Sequence, residues 1–201
     1  PMKVSGVTIN NNTFNGPAGK NANPWKIGGA FGAPIGCEID GITFSGNTVN
    51  YASTPINVYD KNLKDIHING NTFANTDGAV YVWENSASPA PTGVVSGFEF
   101  KTNILNTGNS YGLAFFGWAG VVPITGSNFH DANFGAGNVV ANNDFSGIAG
   151  AYGLGALTFF NNSTYKLDAT NNWWGSLNGP VNTKNVFNVG SGVATSVNEL
   201  A

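Results

Sequence analysis

The residues best placed for chemistry are Asp60 and Glu84, which stand thirteen residues after Asn47 and Asn71, with Lys61 and Lys64 close by in sequence. If those asparagines mark equivalent points of a repeating chain, the two carboxylates lie side by side at about 4.8 Å, the spacing of neighbouring strands. Such a pair has two chemical uses. Its oxygens can hold a hard cation such as Ca²⁺, or the two groups, too close to ionise together, divide into acid and base. The plainer alternative is a solvated surface feature, since both residues end a strand beside a turn with lysines nearby. One residue before each carboxylate is an aromatic, Tyr59 and Trp83, and Phe116 joins that row if Leu113-Ala114-Phe115-Phe116 is shifted by one. An outward row Tyr59/Trp83/Phe116 either packs the surface or presents flat faces to sugar rings. His67 and His130-Asp131 match no metal-ligand spacing. The single Cys37, between Gly36 and Glu38, reads as a small buried core residue.

What must position these side chains is a repeat. The pattern apolar, x, apolar, x, x, Asn, x, apolar is met by Val7/Ile9/Asn12/Phe14, Ile42/Phe44/Asn47/Val49, Ile66/Ile68/Asn71/Phe73 and Phe98/Phe100/Asn103/Leu105. Two weaker copies follow: Asn138/Val140/Asn143/Phe145 lacks the first apolar position, and Leu167/Ala169/Asn172/Trp174 has only Ala at the second. The asparagines are 35, 24, 32, 40 and 29 residues apart, a range that marks a repeat architecture. Within each copy the apolar residues alternate, as in a strand, and Gly, Ser or Asn near the repeated Asn makes a turn. A strand this short cannot bury its own apolar face, so successive copies must cover one another as stacked parallel coils. Stacking sets each amide, which both donates and accepts, over its equivalent one coil away. Asn12, Asn47, Asn71, Asn103, Asn143 and Asn172 are therefore predicted to form an internal ladder at a turn. The second strands Ile56-Asn57-Val58-Tyr59 and Val80-Tyr81-Val82-Trp83 should point Ile56, Val58, Val80 and Val82 inward, and Asn57, Tyr59, Tyr81 and Trp83 outward.

These Asn-turn repeats resemble the right-handed parallel β-helix of the pectate-lyase-like superfamily. The segment Leu167-Asp168-Ala169-Thr170-Asn171-Asn172-Trp173-Trp174-Gly175-Ser176, followed by Gly179-Pro180, is similar to the "NWWG…GP" ending of secreted β-helix repeat proteins. The resemblance implies an all-β solenoid of about six coils, with Val193 to Leu200 as a final strand. It also implies an extracellular or cell-surface location and two kinds of function. One is a non-catalytic structural or adhesive module: an adhesin, a surface-layer part or a filament component. The other is carbohydrate-active: a polysaccharide lyase, epimerase or hydrolase, or a glycan-binding module. Lyases of the superfamily use Arg or Lys as base with Ca²⁺ or another neutralising group, and its hydrolases use two or three aspartates. Carried over, this makes Asp60, Glu84 and Lys61 the weak catalytic candidates, Ca²⁺ at Asp60 and Glu84 the one cofactor to consider, and Tyr59, Trp83 and Phe116 the glycan platform.

Composition narrows the partners. In 201 residues there are 31 asparagines and 28 glycines, only 9% of residues are charged, and all eight basic residues are lysines. Without Arg and with a formal net charge of −3, the chain lacks the basic surface nucleic acid requires. No apolar run approaches the ~18 residues of a membrane span. Residues 1–201 read as one β-helix domain, a fragment or domain of a larger extracellular protein, whose expected partners are flanking domains, copies of itself, or polysaccharide. Asn15 to Ala30 is read as an insertion whose Trp25 covers the first coil or serves as a ligand platform. The span 118–137 is read as extra strands of the fourth coil or an excursion from it.

Overall fold

The computed structural model describes residues 3–20, 22–28, 38–60, 62–85, 93–106, 112–118, 129–130, 134–148, 157–159, 165, 167–181 and 193–195. At residues 28, 59–60, 83–85, 116–118, 129–130, 157–159 and 193–195 the description is of the backbone alone. The period-two alternation is realised as short strands. The first coil holds β1 (Lys3–Ser5), β2 (Thr8–Asn10), β3 (Thr13–Asn15) and β4 (Trp25–Gly28), and the second holds β5 (Glu38–Ser45), β6 (Thr48–Asn50) and β7 (Ile56–Asp60). The third holds β8 (Asn62–Asn69), β9 (Thr72–Ala74) and β10 (Val80–Asn85). The fourth holds β11 (Val94–Ser96), β12 (Glu99–Lys101), β13 (Ile104–Leu105) and β14 (Leu113–Trp118), followed by β15 (Phe129–His130). Last come β16 (Val139–Ala141), β17 (Leu157–Phe159) and β18 (Val193–Thr195).

Each coil visits three sheets in turn. The first sheet runs β1-β5-β8-β12-β16 with β2 and β11 also paired into it, the second runs β3-β6-β9-β13, and the third runs β4-β7-β10-β14-β17-β18. Every pairing along these paths is parallel. Isolated bridges carry the first sheet to Asp168 and the second through Asp144 to Trp173, so the weak Asn143 and Asn172 copies are true coils. This is a parallel β-helix solenoid.

The turn between the first and second sheets is made by a residue in the left-handed region and then the ladder asparagine. Asn11, Gly46, Gly70, Thr102, Asn142 and Asn171 have φ of 55° to 67°, a conformation that Gly and Asn adopt at least cost. Next to each, the ladder closes. The backbone N–H and side-chain Nδ2 of Asn47 both donate to Asn71 Oδ1, at 2.9 and 3.0 Å. Asn71 donates in the same way to Asn103 (2.9 and 3.0 Å), and Asn103 to Asn143 (2.9 and 3.1 Å). Asn12 on Asn47 and Asn143 on Asn172 complete the run. The second Nδ2 hydrogen reaches a backbone carbonyl, that of Phe44 for Asn71 and that of Ile68 for Asn103. Asn47, Asn71 and Asn103 are buried, and their amides escape the cost of desolvation because each has its partners.

Inside, the apolar positions form one core. Ile39, Ile42, Phe44, Val49, Ile56 and Val58 of the second coil are fully buried, as are Ile66, Ile68, Phe73, Val80 and Val82 of the third. Phe100 stacks between Phe73 and Phe145, and Phe145 stacks on Trp174 with ring centroids 5.0 Å apart. Trp174 thus takes the inward place, while Trp173 is 43% exposed.

Three local expectations are refined. Residues 15–30 are not merely an insertion, because they carry β4, where Trp25 lies opposite Ile56 and packs on Phe44 from within the first coil. The "lost" apolar position at Asn138 is filled by Asn138 itself, buried, accepting from Phe98 N–H and donating to the Val95 and Gly135 carbonyls. The irregular span is an excursion: β15 runs antiparallel along the end of β14, and Phe134 then returns to the first sheet beside Val95.

Candidate functional site

The backbone register sets Tyr59 against Trp83 and Trp83 against Phe116 in the third sheet. One residue on, Asp60 lies against Glu84, whose partner on the far side is Gly117, so β14 adds no third acid at this position. The side chains of Tyr59, Asp60, Trp83, Glu84 and Phe116 are outside the described atoms, and the cation or acid–base use of the Asp60/Glu84 pair stays a question of chemistry. Lys61, Cys37 and Asp131 lie outside the described residues. Lys64 is separated from Asp60 by a corner: Asp60 ends the third sheet, whereas Lys64 is exposed on β8 of the first.

Beyond that corner lies a shallow groove of about 220 Å³ on the outer side of the first sheet, lined by Glu38, Asp40, Asn62, Lys64, Val94 and Ser96. Register builds it. Lys3, Glu38, Asn62 and Val94 form one row across four coils, and Ser5, Asp40, Lys64 and Ser96 the next outward row. Between the two rows Ile39, Leu63 and Val95 point into the core. Just past the second row every coil bends through a left-handed residue, at Gly6, Gly41, Asp65, Gly97 and Gly137. Asp65 is the sole non-glycine of that column. Its carboxylate lies 3.5 Å from Lys64 Nζ.

The charges on this face are paired. Lys3 Nζ lies 2.7 Å from Asp40 Oδ2, and the hydrogen bond from Lys3 holds the Asp40 carboxyl below its usual range while raising the lysine. Past the bend, Glu99 Oε1 accepts from Lys101 Nζ at 2.7 Å and Oε2 from Asn69 Nδ2 at 3.3 Å, with His67 opposite in the sheet. Lys101 first, then Asn69 and His67, outweigh partial burial and keep Glu99 below the ordinary carboxylate range. Both acids are therefore ionised at neutral pH, the opposite of the raised pKa a general acid needs. Among the described residues, no three of His, Cys, Asp and Glu converge as a metal site. His67 stands half-buried on the outer side between buried Ile66 and Ile68, as the alternation requires.

Glu38, Asp40, Asn62, Ser96, Glu99 and Lys101 were not singled out by the sequence. A signal was present, because Lys3, Glu38, Asn62 and Val94 all stand nine residues before a ladder asparagine. Counting only forward from the asparagine hides that row. Compared with protein-family models, curated proteins and solved structures, the chain matches none. What its coils define is a class, the parallel β-helix solenoid with an internal asparagine ladder.

Proposed function

We propose that this chain is a non-catalytic structural or adhesive β-solenoid module of a secreted or cell-surface protein, of the kind found in adhesins, surface layers and filaments. The observation that carries the proposal is the unbroken run of ladder bonds from Asn12 to Asn172. It holds the described coils in register as a stiff rod, with rigidity rather than a cleft as its main product. The ion-paired acids of the first sheet fit the same view, since they are tied to lysines instead of poised for proton transfer. The resemblance to secreted pectate-lyase-like β-helix proteins supports the extracellular location, and flanking domains or further copies are the partners such a rod joins.

A second reading, a carbohydrate-active or glycan-binding β-helix, is favoured by one observation, the polar groove of Glu38, Asp40, Asn62, Lys64 and Ser96 just across a corner from the Asp60/Glu84 register position. The two readings separate in one experiment. Purified chain is incubated with a panel of neutral and acidic polysaccharides, with and without Ca²⁺, and both binding and new chain ends are measured. The structural module leaves every polymer intact. Depolymerisation that is abolished by Glu84→Gln overturns it in favour of the enzyme, and saturable binding without cleavage favours the glycan-binding module.

A further inference from the structure

The ladder has a direction. At every one of its steps the earlier asparagine donates, through backbone N–H and Nδ2, to the Oδ1 of the later one. The first coil therefore ends in an acceptor, because Asn12 is exposed and its Oδ1 receives no hydrogen bond among the described residues. The last coil ends in a donor, the backbone N–H of Asn172, which finds no acceptor among the described residues. Two first coils placed face to face would set acceptor against acceptor, and two last coils donor against donor. Only the first coil of one copy against the last coil of another makes the bond. The strand edges agree, since a parallel sheet is extended by a strand running the same way, and a head-to-tail copy supplies one.

The apolar surface is distributed accordingly. Val4, Val7, Ile9, Phe14, Trp25 and Ile27 of the first coil are only partly buried, whereas their counterparts one coil on are fully buried. At the other end Trp173, Leu177 and Val181 are 43%, 95% and 36% exposed. These make up three of the five exposed large hydrophobics among the described residues, and all three belong to the last coil and the turn that follows it.

We infer that the first coil of this chain docks on the last coil of a second copy, with Asn172 N–H donating to Asn12 Oδ1 and the core and sheets running on across the junction. Such a contact is heterologous, and translation along the rod axis does not close it, so it propagates into a filament. The inference deepens the assembly part of the proposal above, and it holds whether or not the rod acts on a glycan.

The test is sedimentation velocity of the full chain over a concentration series, with two variants. Leu177→Asp charges the last-coil end at a fully exposed position. Val4→Asp charges the first-coil end, and its unfolding midpoint is measured alongside to show that the remaining coils stay folded. Wild type is expected to grow with concentration beyond two chains, and each variant alone to need about tenfold more protein for half-assembly, the effect of roughly 1.4 kcal/mol per junction. An equimolar mixture of the variants, which keeps one intact junction, is expected to stop at two chains. Wild type that stays monomeric at all concentrations overturns the inference and leaves the structural-module proposal standing. Variants that assemble like wild type, or a single variant that dimerises alone, overturn it as well.

Discussion

Replacing Asn71 with Leu removes the side chain that joins three coils. Its Oδ1 accepts from the backbone N–H and the Nδ2 of Asn47, and its Nδ2 donates to the Phe44 carbonyl and to Asn103 Oδ1, at 2.9 to 3.1 Å. After Asn71→Leu, Asn103 Oδ1 keeps the backbone N–H of residue 71, and Asn47 Nδ2 keeps the Ile9 carbonyl. The Asn47 backbone N–H and one Asn47 amide hydrogen are left without an acceptor at a buried site. Stranding a buried donor costs about 1–3 kcal/mol, so the two together cost about 2–6 kcal/mol. Burying the similar-sized Leu returns about 1.5–2 kcal/mol. The expected net loss is about 2–4 kcal/mol, read as a fall in Tm of about 5–15 °C for a chain of this length. Asn12→Leu is the internal control. Asn47 Oδ1 then loses one of two donors but keeps the backbone N–H at 3.0 Å, and the loss should stay under about 1 kcal/mol. Urea unfolding followed by tryptophan fluorescence measures both. Equal losses at 12 and 71, or a change at 71 within about 0.5 kcal/mol of zero, would refute the reasoning that satisfied amides, rather than apolar fill, hold this turn.

Three further outcomes are expected. Because Glu99 is held below its usual range by Lys101, Asn69 and His67, its stabilising contribution is present above the unfolded carboxylate pKa and is lost as pH falls through the folded value; the urea midpoint should drop between about pH 6 and pH 3, and less steeply in Glu99→Gln. Parallel slopes would remove Glu99 from that account. Gly70→Ala meets nothing closer than Thr102 Oγ1 at 3.9 Å, so it should cost only the strain of φ +67°, about 1–2 kcal/mol. Gly16→Ala, by contrast, drives a methyl into the Tyr51 carbonyl oxygen and should cost clearly more when the two unfolding curves are compared. Asp65→Gly should stabilise by up to about 1 kcal/mol, since it relieves φ +50° in a column otherwise made of glycine and gives up only a solvent-screened contact with Lys64. A loss of stability there would mean that the Asp65 side chain supports the bend.

The ladder and the three-sheet coil were legible because one residue type at one turn recurs with apolar alternation on either side, and stacking forces both. Period-two reasoning placed Ile56, Val58, Val80 and Val82 inward for the same cause, and all four are fully buried. Trp25 was harder, since glycine, proline and asparagine around it resemble a loop, yet four residues suffice for a strand once a neighbouring coil offers an edge. Asn138 could not be told from a defect, because a polar residue is tolerated in the core only when particular carbonyls and an N–H meet it, and those come from residues up to 43 positions away. The bend column was visible in hindsight as the residue just before each copy's first position: Gly6, Gly41, Asp65, Gly97 and Gly137. The groove was illegible for a related reason, since its polar rows lie upstream of the motif and vary in residue type from coil to coil.

The central claim is that a continuous asparagine ladder holds these coils as one rod, and amide hydrogen exchange followed by NMR at low protein concentration tests it most directly. The backbone N–H groups of Asn47, Asn71, Asn103 and Asn143, each bonded to the Oδ1 of the next coil, are predicted to share slow exchange, while that of Asn172, without an acceptor among the described residues, exchanges fast. Rapid exchange at Asn71 and Asn103, at the rate of the exposed turns, would contradict the account.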